Sequence, residues 1–189
     1  MRHLFAILLG LGASTAIAAE EQAPRWSFVV GAGVAAGSLK AESDGGEDPS
    51  LDPGLAYGFS VERLGQRFGI GFESSGAHND AGTRDEKLDL DHYLVNGIVL
   101  APVSERIRLS ASLGVGAFRH ELNSRPDETR WSPGGQLALH AERRFGARNW
   151  LGLRGRLRYA AGIEGDFGDG FGDHAIDGTD AVFTFRRSY

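Results

Sequence analysis

Along most of this chain apolar side chains return at every second residue, the period of a β-strand, whose successive side chains point to opposite faces. The pattern is cleanest over 106–119, where Ile107, Leu109, Ala111, Leu113, Val115 and Ala117 oppose Arg106, Arg108, Ser110, Ser112, Gly114 and Gly116. Further on, Arg154, Arg156 and Arg158 form a ladder opposite Leu153, Leu157 and Tyr159. Charge on one face and apolar surface on the other is how a strand reads when it separates lipid from a polar lumen. Six more runs share the period, at 26–40, 55–63, 68–75, 88–101, 131–145 and 181–189. The run at 88–101 is the least regular, and a register change at a bulge is expected there.

The connections alternate in length. Residues 64–67, 102–105 and 146–149 are short links, whereas 41–54, 75–87, 120–130 and 164–180 are long. This rhythm predicts an all-β fold, an eight-stranded antiparallel up-and-down transmembrane β-barrel with short periplasmic turns and long extracellular loops. An even strand count then leaves both termini on the periplasmic side. A soluble sandwich could also use eight strands, but it gives no reason for the short-long rhythm.

Composition narrows the picture. Residues 1–19 read as a signal peptide, with Arg2 as the charged start, an apolar stretch from Leu4 to Leu11, and Ala16-Ile17-Ala18 as the small-residue cleavage pattern. Cleavage is expected after Ala18, with Ala19 the alternative, which leaves 20–189 as one barrel domain. That apolar stretch is too short to span a bilayer as a helix, and no later run reaches the length of about 18 that a spanning helix needs. Without the leader, 19 Lys+Arg stand against 25 Asp+Glu, a net of −6, which argues against a nucleic-acid partner. The absence of cysteine excludes disulfides and thiolate metal sites. Twenty-eight glycines with six prolines, in a chain that is 41% hydrophobic, indicate a turn-rich β-protein rather than disorder.

Charge is also sorted along the barrel axis. Arg25, Arg63, Arg67, Arg143, Arg148 and Arg187 fall at the short-turn rim. Glu42, Asp44, Glu47, Asp48 and Asp52 fall in the first long loop, and Glu164, Asp166, Asp169, Asp173, Asp177 and Asp180 in the last. Such an acidic outer rim could be bridged by divalent cations to lipopolysaccharide phosphates, although blocks of like charge commonly signify only solvation. Asp166, Asp169, Asp173 and Asp177 recur with glycines between them, and carboxylates in such a loop could ligate Ca²⁺, but the spacing matches no EF-hand.

The leader, the four hairpins and the final strand Ala181 to Tyr189, which ends on an aromatic residue, together resemble the small eight-stranded outer-membrane barrel proteins of the OmpA/OmpX type. The resemblance covers the whole chain after the leader. It implies a closed barrel without a wide pore, embedded in the lipid and lipopolysaccharide of a Gram-negative outer membrane after export. It also implies a last strand read by the outer-membrane assembly machinery. Arg187 departs from the apolar residue usual two positions before the end, but at a rim it can snorkel to the interface.

If the polar faces point inward, Glu62, Glu73 and Glu142 can meet Arg106, Arg108, Arg144, Arg154, Arg156 and Arg158. Guanidinium groups bind carboxylates bidentately and stay charged when partly buried, so arginine suits such a network. The interior of an eight-stranded barrel is just wide enough for side chains to fill, so a structural plug is the expected role.

Two other chemistries fit the sequence less well. A lipid A deacylase of this architecture needs a His-x-Ser pair late in the chain, because histidine must activate the serine; the strand here reads Arg156-Leu157-Arg158-Tyr159-Ala160. His78, His92, His120, His140 and His174 are scattered, and none has a serine and an acid at triad spacing. Gly31-Ala32-Gly33-Val34-Ala35-Ala36 matches a dinucleotide-binding pattern, but that pattern works only at a helix N-terminus, and acidic loop sequence follows. The sequence thus points to a non-enzymatic barrel without cofactor, having a structural or surface-interaction role through acidic loops toward an unidentified extracellular ligand. A narrow channel is the alternative, and a lipid A-modifying enzyme a weaker one.

Overall fold

The computed structural model describes residues 25–41, 50–80, 87–122, 129–163 and 174–189. Eight strands follow one another: β1 (Arg25–Ala41), β2 (Ser50–Leu64), β3 (Phe68–Asp80), β4 (Lys87–Pro102), β5 (Ile107–Leu122), β6 (Arg130–Arg144), β7 (Asn149–Ile163) and β8 (His174–Ser188). Each pairs antiparallel with the next, and β1 also pairs with β8, from Ser27 opposite Ser188 to Ala41 opposite His174. Closure leaves no free edge and excludes a sandwich.

Strands of 13 to 17 residues exceed the ~10 needed to cross a bilayer at a tilt, so they rise beyond the apolar band at the loop end. The period of two therefore underestimated several of them. β2 begins at Ser50, β3 runs to Asp80, β5 to Leu122, and β8 begins at His174 inside what reads as a loop. The short links are tight: Gly65 N donates to Phe68 O at 2.8 Å, Val103 N to Ile107 O at 3.0 Å, and Phe145 N to Asn149 O at 3.0 Å. Gly146 adopts φ 146°, a conformation that side-chain-bearing residues rarely tolerate.

The expected bulge in 88–101 is corrected by the pairing, which is continuous from Leu88 to Pro102 against β5. Register shifts occur instead at Ala35/Gly37 between β1 and β2 and at Ala160/Ile163 between β7 and β8. Strand β4 looks irregular because its inward row, including Leu88, Leu90, Leu94, Ile98 and Leu100, is as apolar as its outward row of Tyr93, Val95 and Val99. The dinucleotide-like glycines lie inside β1, paired on both sides, with no helix.

Burial is inverted relative to a soluble protein. Phe183 is 76% exposed and Leu139 62%, while Arg156 is 4% and Arg186 1% exposed. Inward glycines make room for the larger side chains of the interior. A Cβ on Gly134 would stand 2.4 Å from the Phe118 ring and 2.7 Å from the Tyr159 carbonyl across the strand. Gly134→Ala is therefore expected to destabilise the barrel by about 1–3 kcal/mol through overpacking, read as a lower urea midpoint of the refolded protein.

Candidate functional site

Because polar side chains face inward from all eight strands, the lumen is where the described residues bury charge. Toward the turn end, Arg186 Nη1 donates to Glu62 Oε2 and its Nε to Glu142 Oε1, both at 2.6 Å. Arg108 reaches the other oxygen of Glu142 at 2.7 Å and lies over the Trp150 ring at 4.4 Å. Arg154 bridges upward, from Glu62 at 2.9 Å to Glu73 at 3.3 Å. It also donates to His140 Nδ1 at 3.3 Å, which fixes that nitrogen as an acceptor and leaves Nε2 as the donor to Thr184 Oγ1 at 2.7 Å.

Glu73 is the hub. It accepts from Arg154, from Arg156 Nη1 at 2.8 Å, from Arg158 Nη2 at 3.3 Å, from Gln136 Nε2 at 3.0 Å and from Ser75 Oγ at 3.1 Å. Its partners come from β3, β6 and β7, so one carboxylate ties opposite walls of the lumen together. Asp180 caps the ladder, accepting from Arg156 Nε at 2.5 Å and Arg158 Nη1 at 2.6 Å. Each carboxylate is met by at least two guanidinium groups, which makes a connected network rather than a set of pairs.

Of the residues singled out in the sequence, Glu62, Glu73, Arg108, Glu142, Arg154, Arg156 and Arg158 come together in the lumen. Arg106 and Arg144 do not join them. Both are exposed at the turn end, where Arg144 N donates to Arg106 O at 2.8 Å. Sequence reasoning missed Arg186 and placed Asp180 in the last loop, whereas it is buried in β8 directly across from Arg156. The alternation of Phe183 and Phe185 outward puts Asp180, Thr184 and Arg186 on the lumen row, which is the signal that could have found them. Of the proposed cation ligands, Asp166, Asp169 and Asp173 lie outside the described residues; Asp177 is described only as a backbone position, paired with Ser38 and Tyr159.

Above the network the lumen turns apolar. Leu90, Leu94 and Phe118 pack with His92, whose ring meets Phe118 edge-on at 4.6 Å, and His120 shares a hydrogen bond with Ser132 at 2.9 Å. His140, bonded to Thr184, and His92, across from Ser75, lie inside the packed lumen with it.

The outer wall is banded. Tyr93 stacks on Trp131 at 5.8 Å toward the loop end, with a charged collar above: His78 with Asp89, and Arg119 with Asp91 and Glu121. At the turn end Arg25, Arg63, Arg67, Arg106, Arg143, Arg144, Arg148 and Arg187 are all exposed, against one exposed side-chain carboxylate among the described residues, Glu105. Between these bands Val30, Phe59, Ile70, Val95, Leu113, Leu139, Leu153 and Phe183 give the apolar belt of a membrane-spanning barrel.

Among solved structures, the same architecture is found in Neisserial surface protein A (NspA), with a TM-score of 0.65 and 12% identity over 86% of this chain and 97% of that one. It is also found in Ail, the attachment invasion locus protein of Yersinia pestis, with a TM-score of 0.49 and 14% identity over 87% and 99%. No protein-family model matches the chain, and no curated protein matches it in sequence. The inverted burial and the closed eight-stranded topology, with the likeness of fold to NspA, define the class: a small eight-stranded transmembrane β-barrel. Within that class it is one whose lumen is filled by paired charged side chains.

Proposed function

We propose that this barrel is a non-conducting, non-enzymatic membrane anchor whose role is structural or interactive, exercised by its acidic loops at the cell surface. The observation that supports this best is Glu73, held by three arginines that cross the lumen, because ions cannot pass without breaking those bonds. The loop acids Glu42, Asp44, Glu47, Asp48, Glu164, Asp166, Asp169 and Asp173 lie outside the described residues, so their part rests on sequence. In this reading divalent cations link them to lipopolysaccharide phosphates, residues 1–19 direct export, and β8 carries the signal for the assembly machinery.

Planar-bilayer recording tests it. Purified wild-type protein is expected to insert without conductance steps, and Arg156→Gln to remain silent while losing stability. Regular steps in the wild type that change with Arg156→Gln would overturn the plug and establish the narrow channel instead.

A further inference from the structure

Two arginines of the turn end are placed unlike the rest. Arg63 of β2 and Arg187 of β8 point outward on either side of β1, with Trp26 directly across from Arg63 and Phe28 directly across from Arg187. Each guanidinium lies over a ring: Arg63 at 5.9 Å from the centre of Trp26, Arg187 at 5.6 Å from that of Tyr189. Phe28 meets Tyr189 edge-on at 5.7 Å, and Tyr189 N donates to Trp26 O at 2.8 Å. Three strands thus build one patch at the edge of the apolar belt, across the seam where the barrel closes.

Neither guanidinium has a side-chain carboxylate partner among the described residues. A planar cation held against an aromatic face is pre-organised for two oxygens of a phosphate. Val30 and Phe59, both about half exposed, continue the patch toward the bilayer centre, where acyl chains would lie. The excess of arginine over carboxylate at this rim favours a headgroup that brings no cation of its own.

We infer that the Arg63–Trp26–Arg187–Tyr189 patch is a binding site for the phosphodiester headgroup of an anionic glycerophospholipid of the phosphatidylglycerol kind, in the leaflet at the turn end. The inference rests on the proposed orientation of the short turns toward the periplasm only for which leaflet supplies the lipid; binding in symmetric vesicles does not depend on it.

Trp26 lies within the patch and can report on it. With Trp131→Phe and Trp150→Phe, its fluorescence is read in vesicles mixing phosphatidylglycerol and phosphatidylcholine, with one or the other brominated as quencher. A preference of about fivefold for phosphatidylglycerol is expected, the scale of one arginine near an anionic surface. Arg63→Gln with Arg187→Gln should bring the preference to unity, while Arg106→Gln with Arg143→Gln, at the β5–β6 side of the rim and off the patch, should leave it. Equal quenching by both lipids, or equal loss from the off-patch pair, would overturn the site. No quenching by either lipid would sink the membrane reading itself, a different failure. If the tryptophan background does not fold, native mass spectrometry of the otherwise unaltered chain, counting retained phosphatidylglycerol with and without Arg63→Gln and Arg187→Gln, decides the same question.

Discussion

Glu73→Gln is expected to cost the barrel about 3–5 kcal/mol, the penalty for leaving buried charge without its partner. The change keeps the volume of the side chain but removes its charge and turns one of the two acceptor oxygens that Arg154, Arg156 and Arg158 share into an NH2 donor. Asp180 still holds Arg156 and Arg158, and Glu62 still holds Arg154, so the three cations would be underpaired rather than bare. Urea unfolding of the refolded protein, followed by loss of the heat-modifiable gel form, measures the difference. Adding Arg156→Met should recover part of it, because residues in one ion network couple by about 0.5–3 kcal/mol. A cost below about 1 kcal/mol, typical of solvated ion pairs, would mean that water fills the lumen. The plug would then fail on energetic grounds, whatever the conductance record shows.

How much of this was legible beforehand depended on which residues lay at which height. In β5 and β7 a contrast between arginine or small residues and aliphatic ones made the inward face obvious, and with it Arg108, Arg154, Arg156 and Arg158. Face alone does not give position along the axis. Arg106 and Arg144 continue the rows of Arg108 and Glu142, but Arg106 falls just before β5 and Arg144 is the last residue of β6, where the side chain meets water instead of the lumen. Asp180 failed for the opposite reason: flanked by Gly178, Thr179 and the acids before it, it reads as loop, but β8 has to rise that far to pair with Arg156 and Arg158 across from it on β7. Strand β4 showed no clean alternation because the interior itself changes character with height, charged in the middle and apolar toward both ends, with Leu88, Leu90 and Leu94 toward the loops and Leu64, Ile98 and Leu100 toward the turns. Register across the closing seam is a long-range property, so the meeting of Arg187, Tyr189 and Trp26 was not readable from any one segment.

Leu139→Arg on the outer wall should cost about 2–4 kcal/mol in phospholipid vesicles, the depth-dependent penalty for a cation near the midplane on the lipid face of a barrel. Leu139 stands midway along β6, across from Ala111 and Gly155, and its side chain touches little of the protein. Nothing in the packing of the chain would therefore register the change. In a closed barrel surrounded by water the same substitution would fall within about 0.5 kcal/mol, as exposed positions generally do. The size of the effect thus measures the solvent rather than the protein. The row supplies its own scale, since Ala141→Arg, one outward position nearer the rim, should cost less than Leu139→Arg, and the next outward position is already Arg143. A flat response along that row would place the wall in water and would leave the exposed apolar belt, the aromatic bands and the arginine patch at the seam without a physical reason.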